Sequence, residues 1–139
     1  MQHLTTQEQL VKAEDVARKA HDGQHRRDGS TPYIKHVEAV VSRVTGESEK
    51  TVAWLHDVVE DTDITQAHLL EMGFDVQIVN AVMLLTKYVG YDPKKYLDDI
   101  KQNRLAKAVK IADMRSNLAD SPTRKQIERY SNGILFLTT

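Results

Sequence analysis

The run TVAWLHDVVEDT, from Thr51 to Thr62, constrains this chain more than any other segment, because four ionisable residues interrupt an otherwise apolar stretch. At about 100° per residue, His56, Asp57, Glu60 and Asp61 fall on one arc of a helix and Val52, Leu55, Val58 and Val59 on the other. One face would pack into a core while the other presents imidazole and carboxylates. Taken by itself, the pattern is also that of a solvated helix face with His56 a satisfied core histidine.

The rest of the chain reads as helix too. Thr5 followed by Glu8 is a capping box, and apolar residues recur at Leu10, Ala13, Val16, Ala17 and Ala20. The stretch HDGQHRRDGSTPY is a loop rich in Gly and polar residues. Helical patterns follow over 35–45, 48–61 and 65–72, the last stopped by Gly73, and again after Asp75 through IVNAVMLLTK. Asp92 before Pro93 and Ser121 before Pro122 are start signals. Between them KKYLDDIKQN and RLAKAVKIADMRSNLAD read as two consecutive helices or one bent helix, and RKQIERYSNGILFL closes the chain. The expectation is an all-α fold, a single compact bundle of about seven helices over residues 1–139, with no sheet.

Composition narrows the chemistry. The chain has 139 residues, 40% apolar and 28% charged, enough for one packed core. A formal net charge of -1 calls for no DNA, RNA or anionic membrane as partner. No cysteine is present, so His and carboxylates are the strong metal ligands at hand, in keeping with a cytoplasmic protein. MQHLTTQEQLVKAED lacks the apolar core of a signal peptide, and no apolar run approaches the roughly 20 residues of a membrane span.

Two more segments add to the central run. Asp113 and Asn117 lie four apart on KIADMRSN, where Asp113 interrupts the apolar Val109, Ile111 and Ala112. His36 opens the otherwise apolar helix HVEAVV. Two His and two Asp from three helices match the mixed nitrogen and oxygen set of a catalytic Mn, Fe or Zn site.

The runs AHDGQHRRDGSTPYIKHVEAV, WLHDVVEDT and VKIADMRSN, in this order, resemble the hydrolase domain of RelA/SpoT-type enzymes and the stand-alone small alarmone hydrolases of the HD superfamily. The resemblance spans about residues 13–135. It implies an HD-domain fold, one divalent metal, usually manganese, and His36, His56, Asp57 and Asp113 as its ligands. Glu60 and Asp61 complete the HDxxED pattern and would activate water for phosphate-ester hydrolysis. Asn117 matches an asparagine close to the ribose and the attacked phosphate.

The implied substrate is guanosine tetra- or pentaphosphate, the (p)ppGpp alarmone of the stringent response, cut at the 3′ position to GDP or GTP and pyrophosphate. Arg26 and Arg27 correspond to a basic pair that stacks on guanine and meets phosphate. On charge alone, paired loop arginines are ordinary solvated residues. Tyr33 would pack the loop against the site and, with Arg26, Arg27 and Asn117, form the base and sugar pocket; His21 would brace the loop, Trp54 would belong to the core, Tyr130 would either pack in the core or approach the pocket from the last helix, and His3, His25 and His68 would lie on the surface. Lys110 is equally a phosphate contact or a surface lysine.

Departures from the family pattern are Val37 where a proline is common, MRSN where the larger enzymes have RLHN, and Asp120 in place of a small polar residue. The alternatives are an HD phosphohydrolase for another nucleotide, such as a dinucleotide 2′-phosphate or a nucleoside phosphate, and a catalytically silent nucleotide sensor. Length leaves no room for the synthetase domain of the long enzymes. The C-terminal ILFL would either support self-association or finish the core.

Overall fold

The computed structural model describes residues 3–139, and its secondary structure among them is helical apart from one isolated bridge between His25 and Pro32. Nine helices follow in order: α1 (Thr6–Ala20), α2 (Ile34–Ser42), α3 (Glu47–Leu55), α4 (Val58–Asp61), α5 (Gln66–Glu71), α6 (Val76–Leu85), α7 (Pro93–Lys101), α8 (Arg104–Leu118) and α9 (Arg124–Thr138). No helix among the described residues is long and apolar enough to cross a membrane.

The helix α3 is the central element. It packs against α1, α2, α6 and α8, and every side chain from Thr51 to His56 is buried. Val52, Ala53 and Leu55 join Val37 and Val40 of α2, Val79 and Val82 of α6, and Val109 of α8 in one continuous core. Trp54 is buried with this group, as expected, and the Arg18 guanidinium lies 5.0 Å from its ring centroid. Two helices that bear polar site residues, α2 and α8, are thereby clamped to the C-terminal end of α3.

Sequence signals place most helix starts. The capping box of Thr5 and Glu8 forms, Asp92 caps α7 by accepting from the Lys94 amide at 3.0 Å, and Gly73 takes the left-handed φ of +97° that ends α5. Residues 93–118 are two helices rather than one bent helix, because Asn103 caps α8 by accepting from the Ala106 amide at 2.9 Å. Ser121 does not cap α9. It sits at φ +46°, and Thr123 with Gln126 forms the capping box instead. His68, expected only at the surface, closes a capping box with Thr65.

The main departure from the expected helices lies in the run from Thr51 to Thr62. Residues 48–61 are two helices, not one. The Ala53 carbonyl, which in a continuous helix would take the Asp57 amide, instead accepts from the His56 amide at 3.4 Å and from His56 Nδ1 at 2.7 Å. The chain tightens there, Asp57 leaves the helical region at φ -110° and ψ 1°, and α4 restarts at Val58.

At the C-terminus, Leu137 completes the core, while Leu135 remains 62% exposed. Leu55 is fully buried and precedes His56 directly. Leu55→Ala should lower unfolding stability by about 2–5 kcal/mol, read from the urea midpoint with an unchanged slope.

Candidate active site and metal centre

The break after α3 turns His56 and Asp57 together into a cavity of about 280 Å³. Its floor holds His36 from α2, His56, Asp57, and Lys110 and Asp113 from α8, and Glu60 of α4 stands in its wall. Arg26, Tyr33 and Asn117 line it on one side. Lys87 and Tyr91 from the α6–α7 connection, Tyr96 from α7, and Arg129 and Tyr130 from α9 complete it.

The donor atoms converge. His36, His56 and Asp57 each present a ligand atom within 4.8 Å of the other two. Asp113 Oδ1 lies 2.8 Å from His36 Nε2 and 3.6 Å from His56 Nε2, and Asp57 Oδ2 lies 3.0 Å from His56 Nε2. The four residues come from three separate stretches of sequence that the α2, α3 and α8 packing unites.

Whether this set suits a metal can be tested on His56. Its Nδ1 donates to the Ala53 carbonyl, so in the neutral ring Nε2 carries the lone pair. That Nε2 is buried and has no hydrogen-bond partner, although two carboxylates face it. A lone pair opposed to carboxylate oxygens is repulsive unless a proton or a metal cation lies between them. Burial pulls the His56 imidazole pKa down, yet Asp57 and Asp113 outweigh it and raise the pKa well above the ordinary value. The same field that favours a proton there favours a divalent cation. Histidine held through Nδ1 on a carbonyl, with Nε2 aimed at carboxylates, is the arrangement of a metal ligand with its orienting partner. The residues fit a metal.

Neighbours fix the ligand set in place. The Tyr33 hydroxyl donates to Asp57 Oδ2, and burial with the Asp57 charge raises the Tyr33 pKa, keeping the phenol protonated. His21 packs its ring 5.1 Å from that of Tyr33 and bonds Gln24 at 2.8 Å, and Gln24 Nε2 donates to the Asp61 carbonyl at 3.1 Å. This is the brace expected of His21. Glu60 Oε1 accepts from the Lys87 amide at 2.7 Å, which ties α4 to the α6–α7 connection.

Lys110 is no surface residue. It is 9% exposed, and its Nζ donates to Asp113 Oδ2 at 3.3 Å. Burial would lower its pKa, but the carboxylates, Asp113 first, raise it and keep the ammonium charged.

Two expected residues stand elsewhere. Arg26 and Arg27 do not line the cavity as a pair: Arg26 reaches Asn117 Oδ1 at 3.3 Å and Asp120 Oδ2 at 3.0 Å, while Arg27 is exposed and outside the cavity lining. The physical reason is a turn: Arg26 N is bonded to the Thr31 carbonyl at 2.8 Å beside the bridge of His25 and Pro32, and the Gly29 amide closes back on the Arg26 carbonyl at 2.9 Å, which places Arg27 at the exposed tip of the loop. Asp61, one position further round α4 than Glu60, is an exposed residue and does not line the cavity; partial desolvation of its carboxyl group, followed by the Asp57 and Glu60 charges, raises its pKa to about 6.

Sequence reasoning missed Lys87, Tyr91, Tyr96 and Arg129. Lys87 lies 5.7 Å and 5.6 Å from the Tyr91 and Tyr96 ring centroids, and Arg129 lies 4.8 Å from that of Tyr130. The interleaved Lys and Tyr of KYVGYDPKKY is the signal that was available; Arg129 offered none. Tyr130, for which core and pocket were both expected, is half-buried, packs against the core and lines the cavity.

No family model matches the chain. It is 35% identical over 130 residues to human guanosine-3′,5′-bis(diphosphate) 3′-pyrophosphohydrolase MESH1, covering 81% of this chain and 69% of that protein. It is also 42% identical over 78 residues to guanosine-3′,5′-bis(diphosphate) 3′-pyrophosphohydrolase of Haemophilus influenzae, covering 52% of this chain and 11% of that one. A solved structure of a metazoan ortholog of SpoT that hydrolyzes ppGpp superposes with a TM-score of 0.76 at 22% identity, over 99% of this chain and 88% of that chain.

Calorimetric titration of manganese into metal-stripped protein should show one site. His56→Ala should abolish it, whereas Arg27→Ala should leave its affinity within about twofold, as expected for a solvated charge outside the cavity.

Proposed function

This chain belongs to the guanosine-3′,5′-bis(diphosphate) 3′-pyrophosphohydrolase family, and from that premise we propose that it hydrolyses guanosine tetra- and pentaphosphate at the 3′ ester, releasing pyrophosphate and GDP or GTP. The observation that carries the reading is a single cavity in which the buried His and Asp cluster adjoins Glu60 and the cations Arg26, Lys87, Lys110 and Arg129.

In this reading His36, His56, Asp57 and Asp113 hold one divalent ion, taken as manganese from the family resemblance. When bound, it supplies a Lewis acid that lowers the pKa of water and offsets charge on phosphoryl oxygens. Glu60 takes a proton from the attacking water, and its tether to the Lys87 amide fixes the carboxylate for that task. The water oxygen joins the phosphorus, the bond from phosphorus to the ribose 3′ oxygen breaks, and a proton returns to that oxygen. Asp61, with its raised pKa, serves the proton network around Glu60 rather than touching the substrate.

Arg26 and Asn117, already bonded to one another, form the sugar and base side of the pocket. The planar Arg26 guanidinium offers a stacking face to guanine. Tyr33 contributes by holding Asp57. Lys87 and Arg129, which lie over tyrosine rings rather than against carboxylates among the described residues, supply positive charge for a polyanionic nucleotide.

Metal-stripped protein should release no pyrophosphate from guanosine tetraphosphate, and added manganese should restore release in the wild type but not in Asp57→Ala. Glu60→Gln should keep manganese binding while kcat falls about 10²–10⁴-fold. Manganese-loaded protein that spares guanosine tetraphosphate but hydrolyses another phosphorylated nucleotide in an equimolar panel would move the substrate assignment to that nucleotide.

A further inference from the structure

Lys110 carries a buried charge beside the His and Asp cluster without itself offering a metal ligand. Its ammonium lies on the cavity floor, 3.3 Å from Asp113 Oδ2 and 5.4 Å from the Tyr96 ring centroid. The other Asp113 oxygen, Oδ1, faces His36 and His56. A fixed positive charge bonded to one oxygen of a ligand carboxylate weakens that carboxylate's hold on a metal cation through like-charge repulsion. Burying an ammonium is itself unfavourable unless it is paired and its donors are used. Lys110 has three N–H donors, and among the described residues one hydrogen bond, a long one, to a side chain. Opposed to the metal and with donors in hand, this lysine is suited to an anion that arrives in the cavity beside the imidazoles and carboxylates.

We propose that Lys110 is a catalytic residue that donates a hydrogen bond to an oxygen of the substrate phosphate held at the His36, His56, Asp57 and Asp113 cluster. The proposal takes its reaction from the phosphate-ester reading above and its ligand chemistry from the cavity alone. Lys110 makes and breaks no covalent bond and keeps its proton throughout. Its part is to offset the negative charge on the phosphoryl oxygens as water adds and the ester oxygen departs. The Tyr96 ring, held from behind by its hydroxyl bond to the Leu85 carbonyl at 2.8 Å, keeps the ammonium at the floor of the cavity.

The test is calorimetric titration of inorganic phosphate into manganese-loaded wild type, Lys110→Met and Lys110→Arg, with manganese affinity measured separately on the stripped proteins. Lys110→Met should weaken phosphate binding by about tenfold or more, and Lys110→Arg should restore it to within about threefold, since a charged hydrogen bond is lost in one and kept in the other. Manganese affinity in Lys110→Met should be unchanged or tighter. Unchanged phosphate binding would overturn the proposal, and so would a parallel loss of manganese affinity, which would make Lys110 a positioning residue for Asp113. Should Lys110→Met fail to fold, Lys110→Gln carries the same comparison. Phosphate binding that depends on Lys110 in a protein inert toward guanosine tetraphosphate would sink the substrate assignment and leave this one standing.

Discussion

The bond from His56 Nδ1 to the Ala53 carbonyl is the interaction on which the site depends. It removes from α3 the acceptor that would have continued the helix, and so ends the helix where its core face ends. It also fixes which ring nitrogen is protonated, leaving the other as a buried donor of electron density. Asp57, released from the helix, then shares the cavity with His56 instead of lying 100° further round. A backbone event and an electronic one follow from a single contact.

Around that contact the cavity separates charge. The carboxylates Asp57, Asp113 and Glu60 gather where the imidazoles are, and Arg26, Lys87 and Arg129 come from the surrounding elements. Neither group is local in sequence. The first is assembled by α2, α3, α4 and α8, the second by the loop before α2, the α6–α7 connection and α9. Because α3 is packed on several sides, the floor rests on the best-buried part of the molecule, while the cations sit on elements at its margin. Rigid ligand geometry and adaptable anion contacts are thereby assigned to different parts of the fold.

What the sequence made legible were features with short-range signatures. Helix starts at Thr5 and Asp92 were readable because a cap and its partner lie within one turn. His36, His56, Asp57 and Asp113 were readable because each breaks an apolar pattern, and one cavity now contains all four. The break at Asp57 was not readable, since it depends on a side chain outcompeting a backbone amide for one carbonyl. That Arg27 and Asp61 lie outside the cavity lining was not readable from adjacency, because a neighbour in sequence faces elsewhere in a turn or on a helix. Arg129 belongs to the cavity only through the approach of α9, and no spacing within its own segment reports that approach; Lys87 and Tyr96 carried a hint in the interleaved Lys and Tyr of their segment, but not where that segment would pack. Lys110 was ambiguous because burial depends on α7 covering it.

The loop before α2 is held more firmly than its composition suggests, and its cation is already engaged. Asp28 accepts from the Ser30 and Thr31 amides, the bridge at His25 and Pro32 closes the loop's base, and Arg26 reaches across to Asp120 and Asn117 at the end of α8. A ligand that recruits Arg26 therefore enters an exchange rather than an addition. It must offer the guanidinium more than a carboxylate at 3.0 Å and an amide oxygen at 3.3 Å already provide. Ligands with a single carboxylate-like group gain little from such a swap, whereas those that combine an anion with a flat ring gain at both edge and face. Arg26 is thus held in place by contacts that a ligand would have to replace, one of them to an Asp120 side chain that is 64% exposed.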